Sequence, residues 1–479
     1  MTLDAENYRS PLSTRYASEA MRRTFSDLER FRTWRRLWIA LAECEAELGL
    51  DITAEQLDEL RAHAADVDLE AAARHERALR HDVMAHVHAW GEQCPKARAI
   101  IHLGATSCYV TDNSELIAIR RGLELVRGQL VSLIGVLREF ALQWRELPTL
   151  GFTHYQPAQA TTLGKRATLW LQDLVHDLED VEHALEHVRF RGVKGATGTQ
   201  ASFLELFGGD HEKVRALDSA VTARMGFERR FGVTGQTYPR QMDFRVGQVL
   251  SSIAQSAHKF AVDLRLSANR RELEEPFESK QIGSSAMPWK RNPMRAERIC
   301  ALARFVIELL GNSAHTAANQ WFERTLDDSA NRRLANSEMF LATDAILNLY
   351  LNVAAGLVVY PKVIERNLRA ELPFLASEHL MMAAVQAGGD RQEVHEALRV
   401  HAVEAARVVK MEGGDNPLRD ALRGDPAFAA VAPVLDDLLD PARYVGRAPA
   451  QVLEFLADEV DPLLERHRGL LGQVGQVAL

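Results

Sequence analysis

From Leu116 the apolar positions recur as Leu116, Ile119, Leu123, Val126, Leu130, Leu133, Leu137 and Phe140, in alternating steps of three and four. The same alternation runs through Leu171, Leu174, Leu178, Val181, Leu185 and Val188. A helix of about 3.6 residues per turn lines such positions into one stripe, and these stripes let helices pack side by side at shallow angles. A third segment after Pro239 carries Val246, Val249, Ile253, Phe260 and Leu264. A fourth runs from about Ala296 to Leu310 and a fifth from about Glu338 to Val359. Strand signals are almost absent. The chain is predicted to be all-α.

Helices of about 25–30 residues would be ~40 Å long at 1.5 Å per residue. A single chain has little with which to cover several such rods, so a bundle completed by further copies is expected, rather than a monomeric array. Shorter helical patterns fill residues 1–106, with turns at "GLDIT" and "GEQCPK". The long-helix region spans 107–359. A tail of short helices, 360–479, opens at "YPKVIERNLRAELPF" and is punctuated by "AGGDRQ", "EGGDNP" and the Asp-Pro starts at 425–426 and 440–441. Three all-helical domains are therefore predicted.

The bulk composition narrows the function. At 479 residues, 47% apolar and 26% charged, the chain is an ordinary globular one with room for more than one core. Its net charge of −9 argues against nucleic-acid and membrane-surface partners, which require a basic footprint. Cys44, Cys94, Cys108 and Cys300 are scattered, which suits neither a zinc site nor a disulfide framework and fits a reducing compartment. The opening residues lack the cationic, apolar and small-residue pattern of a signal peptide, so none is expected, and no apolar run approaches the ~20 residues of a membrane span. A cytoplasmic location is expected.

Several connections between the predicted helices have a composition unlike core: "RHDVMAHVH", "IHLGATSCYV", "GFTHYQPAQATT", "GVKGATGTQASF", "TGQTYPRQ", "IGSSAMPWKRNP" and "FERTLDDSANRR". Function concentrates on such connections when a rigid scaffold presents them. "GVKGATG" has the wrong glycine spacing for a dinucleotide fingerprint, "LGKRAT" is no phosphate-binding P-loop, and "GSSAM" is no nucleophile elbow. His81, His86 and His88 do not share one helical face and no acidic cluster accompanies them, so no metal and no cofactor is expected. What remains is serine and histidine together with surplus arginine. "IGSSAMPWKRNPMRAER" is too rich in Gly, Ser and Pro at its start for a helix, yet it collects four cations around one glutamate. It reads as a mobile loop, 282–293 at its centre, that closes over a small, strongly anionic substrate.

"GSSAMPWKRNP" resembles the signature loop of the aspartase/fumarase superfamily, whose members cleave C–N or C–O bonds and release fumarate. The other quoted segments, with "EEPFE", "QWFERTLDDSANRR" and "GLVVYPKVIERN", resemble the animal-type adenylosuccinate lyase family from Ser10 to about Leu464. The resemblance implies a carbon–nitrogen lyase that acts on succinylated purine nucleotides in purine biosynthesis, without a cofactor, as a homotetramer whose active sites draw on three subunits. Position by position, it makes Ser284 the general base and His154 the general acid. Lys290 and Asn292 become loop groups on a succinyl carboxylate, and Glu297 the acid that orients the histidine. Arg15, Tyr16, Arg80, His81, Asp82, Thr106, Ser107, Gln236, Arg298, Arg324, Ser329 and Arg333 match substrate-contacting positions, with His102 a further candidate. Pro239, at an expected helix N1 position, departs from the family pattern next to Gln236.

These residue types suit such an elimination. Loss of a proton beside a carboxylate makes a dianionic intermediate, which needs donors already in place. A serine hydroxyl acts as base only with a cation beside it, for which Lys290 is the candidate. A histidine titrating near neutrality can protonate the departing nitrogen. Arginines give a phosphate and two carboxylates bidentate, permanently charged partners. Arginine and aspartate in "FERTLDDSANRR" also fit a plain helix N-terminus, and Trp289 fits either a base-stacking residue or a loop anchor. Two other readings remain: another fumarate-releasing lyase, such as one acting on argininosuccinate, and a catalytically silent helical assembly protein.

Overall fold

The computed structural model describes residues 7–278, 281–283 and 286–475. The periodic segments become five long helices: α3 (Ser107–Gln143), α4 (Leu163–His187), α6 (Gln241–Asn269), α7 (Met294–Ala318) and α8 (Asp327–Ala355). Before them come α1 (Asp27–Glu47) and α2 (Asp82–Gln93), and α5 (His211–Arg224) lies between α4 and α6. With 37 residues, α3 is about 55 Å long. Helix α6 packs against α7, α4 and α8, and α3 against α4 and α8. The seam from Leu116 to Phe140 is buried along its whole length, as its spacing predicts. Gly122 lets α3 close on α8, because a Cβ there would lie 2.7 Å from the Phe340 ring.

Helices α1 and α2 add to this core rather than forming one of their own: Trp34, Trp38 and Trp90 are buried in continuity with the bundle. A second core spans Leu372 to Leu439. Asp425 and Asp440 cap the short helical turns Pro426–Phe428 and Pro441–Tyr444, matching the Asp-Pro reading. Beyond them the chain returns to the bundle. Val452, Leu456, Val460 and Leu463 join the first core, and Ser132 Oγ of α3 donates to the Leu470 carbonyl at 2.9 Å. No helix among the described residues is long and apolar enough to cross a membrane.

Four local features depart from the sequence reading. Residues 148–162, expected to be a plain connection, form an antiparallel hairpin of β1 (Pro148–Thr153) and β2 (Gln156–Thr162). A second ladder joins β3 (Leu273–Glu274) to β4 (Val358–Val359). Helix α8 begins eleven residues before the predicted Glu338, because its first turns bury charge instead of apolar side chains. Pro239 lies outside α6, whose cap is Arg240, so it is not at N1.

One buried carboxyl is left over. Glu45, on α1, is fully buried, and neither of its oxygens has a hydrogen-bond partner among the described residues. Burial raises its pKa from 4.5 to about 8. The unfolded chain releases this proton near 4.5 and the folded chain near 8. The linked stability is therefore complete below about 4.5 and is lost as pH rises toward 8. Glu45→Gln should flatten that decline, read as unfolding midpoints across the window. An unchanged slope would exclude Glu45 as its source.

Candidate active site

The candidates fall into three places in one chain. The largest group lies where α2, α3 and α8 begin. Arg80 is left-handed (φ 54°) and ends the Leu69–Leu79 helix, which turns the chain into α2. His81 caps α2, its Nδ1 accepting from the Met84 amide, and its Nε2 lies 3.3 Å from Ser107 Oγ at the start of α3. Arg333 of α8 donates to Asp82 at 3.1 Å. The Gln236 side chain donates to the Ala196 carbonyl at 3.1 Å and faces Thr106 Oγ1 at 3.5 Å, while its amide donates to the Glu323 carbonyl. Arg324 pairs with Asp328 at 2.8 Å, one residue before Ser329. Gly198 permits this closeness: a Cβ there would collide with the Thr234 carbonyl.

The second group surrounds the start of α7. Arg298 lies over the Tyr16 ring, 5.1 Å from its centroid, and its buried Nη1 has no hydrogen-bond partner among the described residues. Arg15 precedes Tyr16 in the short helical turn Leu12–Tyr16 and is exposed. Asn292 Nδ2 donates to the Gly283 carbonyl at 2.9 Å, which ties the two ends of the 283–292 loop together. Lys290 and Glu297 face solvent. Ser284, the candidate base, lies outside the described residues.

His154 stands alone at the tip of the β1–β2 hairpin. It and Tyr155 are the two turn residues between paired Thr153 and Gln156, and both have positive φ (52° and 57°). Such a turn favours Asn-Gly, so a histidine and a tyrosine hold it at some cost in backbone strain. The imidazole is exposed. Among the described residues no hydrogen bond joins it to Glu297. Phe152, next to the hairpin tip, packs against Arg270, just past the end of α6, whereas the first group lies near its start. Those 29 residues separate the two by about 43 Å.

His102 and the remaining histidines have structural surroundings. His102 Nδ1 accepts from Trp38 Nε1 at 2.8 Å, and burial, helped by the charge of His81, lowers its pKa to about 4. His86 is stacked at 3.8 Å on Phe31 and is likewise lowered to about 4 by burial, then by Arg35 and Arg30. His88 stacks on His75. Trp289 is exposed.

Sequence reading missed the support beneath the first group. Arg240 grips both oxygens of Asp112 at 3.1 Å and Asp328 at 2.6 Å. Arg332 donates to Asp243 and Glu115 at 2.6 Å and also to the Tyr238 hydroxyl. Burial opposes ionisation of Asp243, but Arg332, Arg240 and the Tyr238 hydroxyl together hold the carboxyl below its usual range. Asp243 stands in register with Val246 and Leu250 on the buried face of α6. A charge at a seam position is the signal that could have revealed the network, because such a charge demands a buried partner.

Residues 15–307 match the lyase family, and residues 373–455 match the adenylosuccinate lyase C-terminus. The chain is 53% identical to adenylosuccinate lyase of Saccharomyces cerevisiae, covering 96% of each chain. It is 51% identical to the Schizosaccharomyces pombe enzyme over 98% of each, and 49% to that of Schistosoma mansoni over 97% of this chain and 98% of the other. Among solved structures, the 3-carboxy-cis,cis-muconate lactonizing enzyme of Pseudomonas putida shares the fold (TM-score 0.80, 24% identity, 96% and 99% of the two chains covered). Likeness of this degree, sustained from the first helical turn to the second core, makes the chain a carbon–nitrogen lyase and a member of the adenylosuccinate lyase family.

Proposed function

We propose that the protein eliminates fumarate from adenylosuccinate to give AMP, and from the succinylated aminoimidazole carboxamide ribotide of purine synthesis. The observation that carries this reading is the 53% identity to a yeast adenylosuccinate lyase over 96% of both chains. Ser284 takes the proton from the carbon beside a succinyl carboxylate, with Lys290 stabilising its alkoxide. The electron pair moves into the carboxylate, whose charge Asn292 and loop amides meet. Its collapse breaks the C–N bond as His154, oriented by Glu297, protonates the leaving nitrogen. Fumarate and the purine product leave, and proton exchange with water restores both groups.

The other candidates supply cations and polar groups for an anionic substrate. Arg324 and Arg333 share one end of the bundle with Arg80, His81, Asp82, Thr106, Ser107, Gln236 and Ser329, and Arg298 with its free Nη1 stands beside Arg15 and Tyr16. A distance of about 43 Å between the hairpin and the first group is far too long for one nucleotide to bridge. Copies of the chain must then meet so that His154 of one completes the site of another, which supports a homotetramer built on the long helices. Four unpaired cysteines, all buried, fit a cytoplasmic enzyme.

The assignment is tested by incubating the purified protein with adenylosuccinate, the ribotide and argininosuccinate and following fumarate. Release from the first two is expected. Release from argininosuccinate alone would overturn the purine assignment.

A further inference from the structure

Outside the candidate active site, five cations converge on one open cavity of about 530 Å³. Arg189, Lys194, Arg215, Arg229 and Arg230 line it with Gln200 and Gly232, and Asp218 is its one carboxylate. The cavity forms where the segment after α4 runs beside the segment after α5: the Phe190 amide donates to the Arg229 carbonyl and the Phe231 amide to the Phe190 carbonyl, both at 2.9 Å. That pairing delivers arginines from both strands to one place.

Asp218 cannot neutralise the group. It is buried and already accepts from the Val193 amide at 2.8 Å, Lys194 Nζ at 2.6 Å and Arg230 Nε at 2.9 Å. Arg215 is held by Glu212, at 3.0 Å on the same helix. The guanidinium groups of Arg189 and Arg229 have no ion-pair or hydrogen-bond partner among the described residues, and Arg189 is half-buried. A protein of net charge −9 has many carboxylates, yet among the described residues none pairs with Arg189 or Arg229. Like charges gathered in a concavity repel one another unless an anion enters, and concave walls strengthen the local field.

We propose that this cavity is a second anion site, separate from the substrate arginines, that takes a phosphate chain. Guanidinium forks match phosphate oxygens in pairs, and several can share one polyphosphate. No aromatic ring lines the cavity, so it reads the phosphates and not a base. The volume falls in the usual range of small-ligand pockets, about 300–1,000 Å³. Its wall is also the back of the Gln236 loop. Arg191 donates to the Gln236 carbonyl at 2.7 Å and the Gly195 carbonyl at 3.0 Å, and Gln236 holds Ala196, two residues from Lys194. An anion held in this cavity would therefore bear on the segment that positions a substrate candidate.

The probe is inorganic triphosphate, titrated by calorimetry at low ionic strength into the intact enzyme and its variants. Arg229→Glu, at an exposed position, should weaken binding about tenfold or more, and Arg215→Glu, on the exposed face of α5, should weaken it in the same direction. Arg324→Ala should leave this binding in place. A nucleoside triphosphate should bind within about twofold of the inorganic chain, since only the phosphates are read. Absence of binding by the wild type overturns the proposal, as does a titration unchanged in Arg229→Glu, in which case the anion sits on the substrate arginines. A strict requirement for the nucleoside overturns the assignment of the ligand. Because the readout is binding alone, the result stands apart from the identity of the substrate.

Discussion

Arg240→Met is expected to destabilise the protein by about 3–5 kcal/mol, the cost of breaking a buried ion pair from one side. The guanidinium is 2% exposed and makes three hydrogen bonds to two carboxylates, Asp112 on α3 and Asp328 on α8. Its removal leaves both carboxylates in the interior without their cation. Burial, the largest single influence, would lower the pKa of Arg240, yet it is raised, because Asp112, Tyr238 and Asp243 act together against it. The change also reaches the candidate site, since Asp328 is the partner of Arg324. Denaturant unfolding should show the midpoint fall, and turnover should drop with it at temperatures where the fold persists. Arg419→Met, at an exposed pair with Asp436, should leave the midpoint unmoved. Equal effects from the two substitutions would mean that burial does not set the strength of these pairs.

His154→Gln is expected to lower turnover by about 10²–10⁴-fold while leaving the unfolding midpoint close to wild type. The imidazole is exposed and has no hydrogen bond or ion pair among the described residues, so a loss of rate reports chemistry. Ser284→Ala should give a comparable loss with substrate binding retained. Since the hairpin tip lies about 43 Å from the group around Arg333 in one chain, the two defects can be separated onto different copies. Inactive His154→Gln chains unfolded and refolded together with Arg333→Ala chains should recover part of the turnover, through sites assembled from the intact halves. No recovery, with mixed oligomers formed, would place both residues in one chain's contribution and rule out the proposed sharing.

The seam of α3 was legible because its stripe is apolar and unbroken, and each of its eight predicted positions is buried. The start of α8 was not. Asp328 and Arg332 occupy inward positions there, and a search for apolar periodicity passes over charges that find their partners across the bundle. The hairpin escaped for another reason. Its strands carry Pro148, Gly151 and Pro157, poor strand formers, and it holds its shape by packing on the Pro361–Leu375 helix, a contact between segments some two hundred residues apart. For the site, motif spacing identified candidate residues but could not say that one chain scatters them to both ends of its bundle. That follows from helix length and direction, which appear only in three dimensions.

The hairpin tip carries a consequence for how this protein tolerates change. Two side-chain-bearing residues sit there in a backbone region that glycine enters freely, and the Tyr155 ring leans on Phe152, 5.5 Å between centroids. Relaxing the turn would make the chain sturdier and the imidazole's aim looser. With His154 as the proposed general acid, selection for heat resistance and selection for speed would pull this dipeptide in opposite directions.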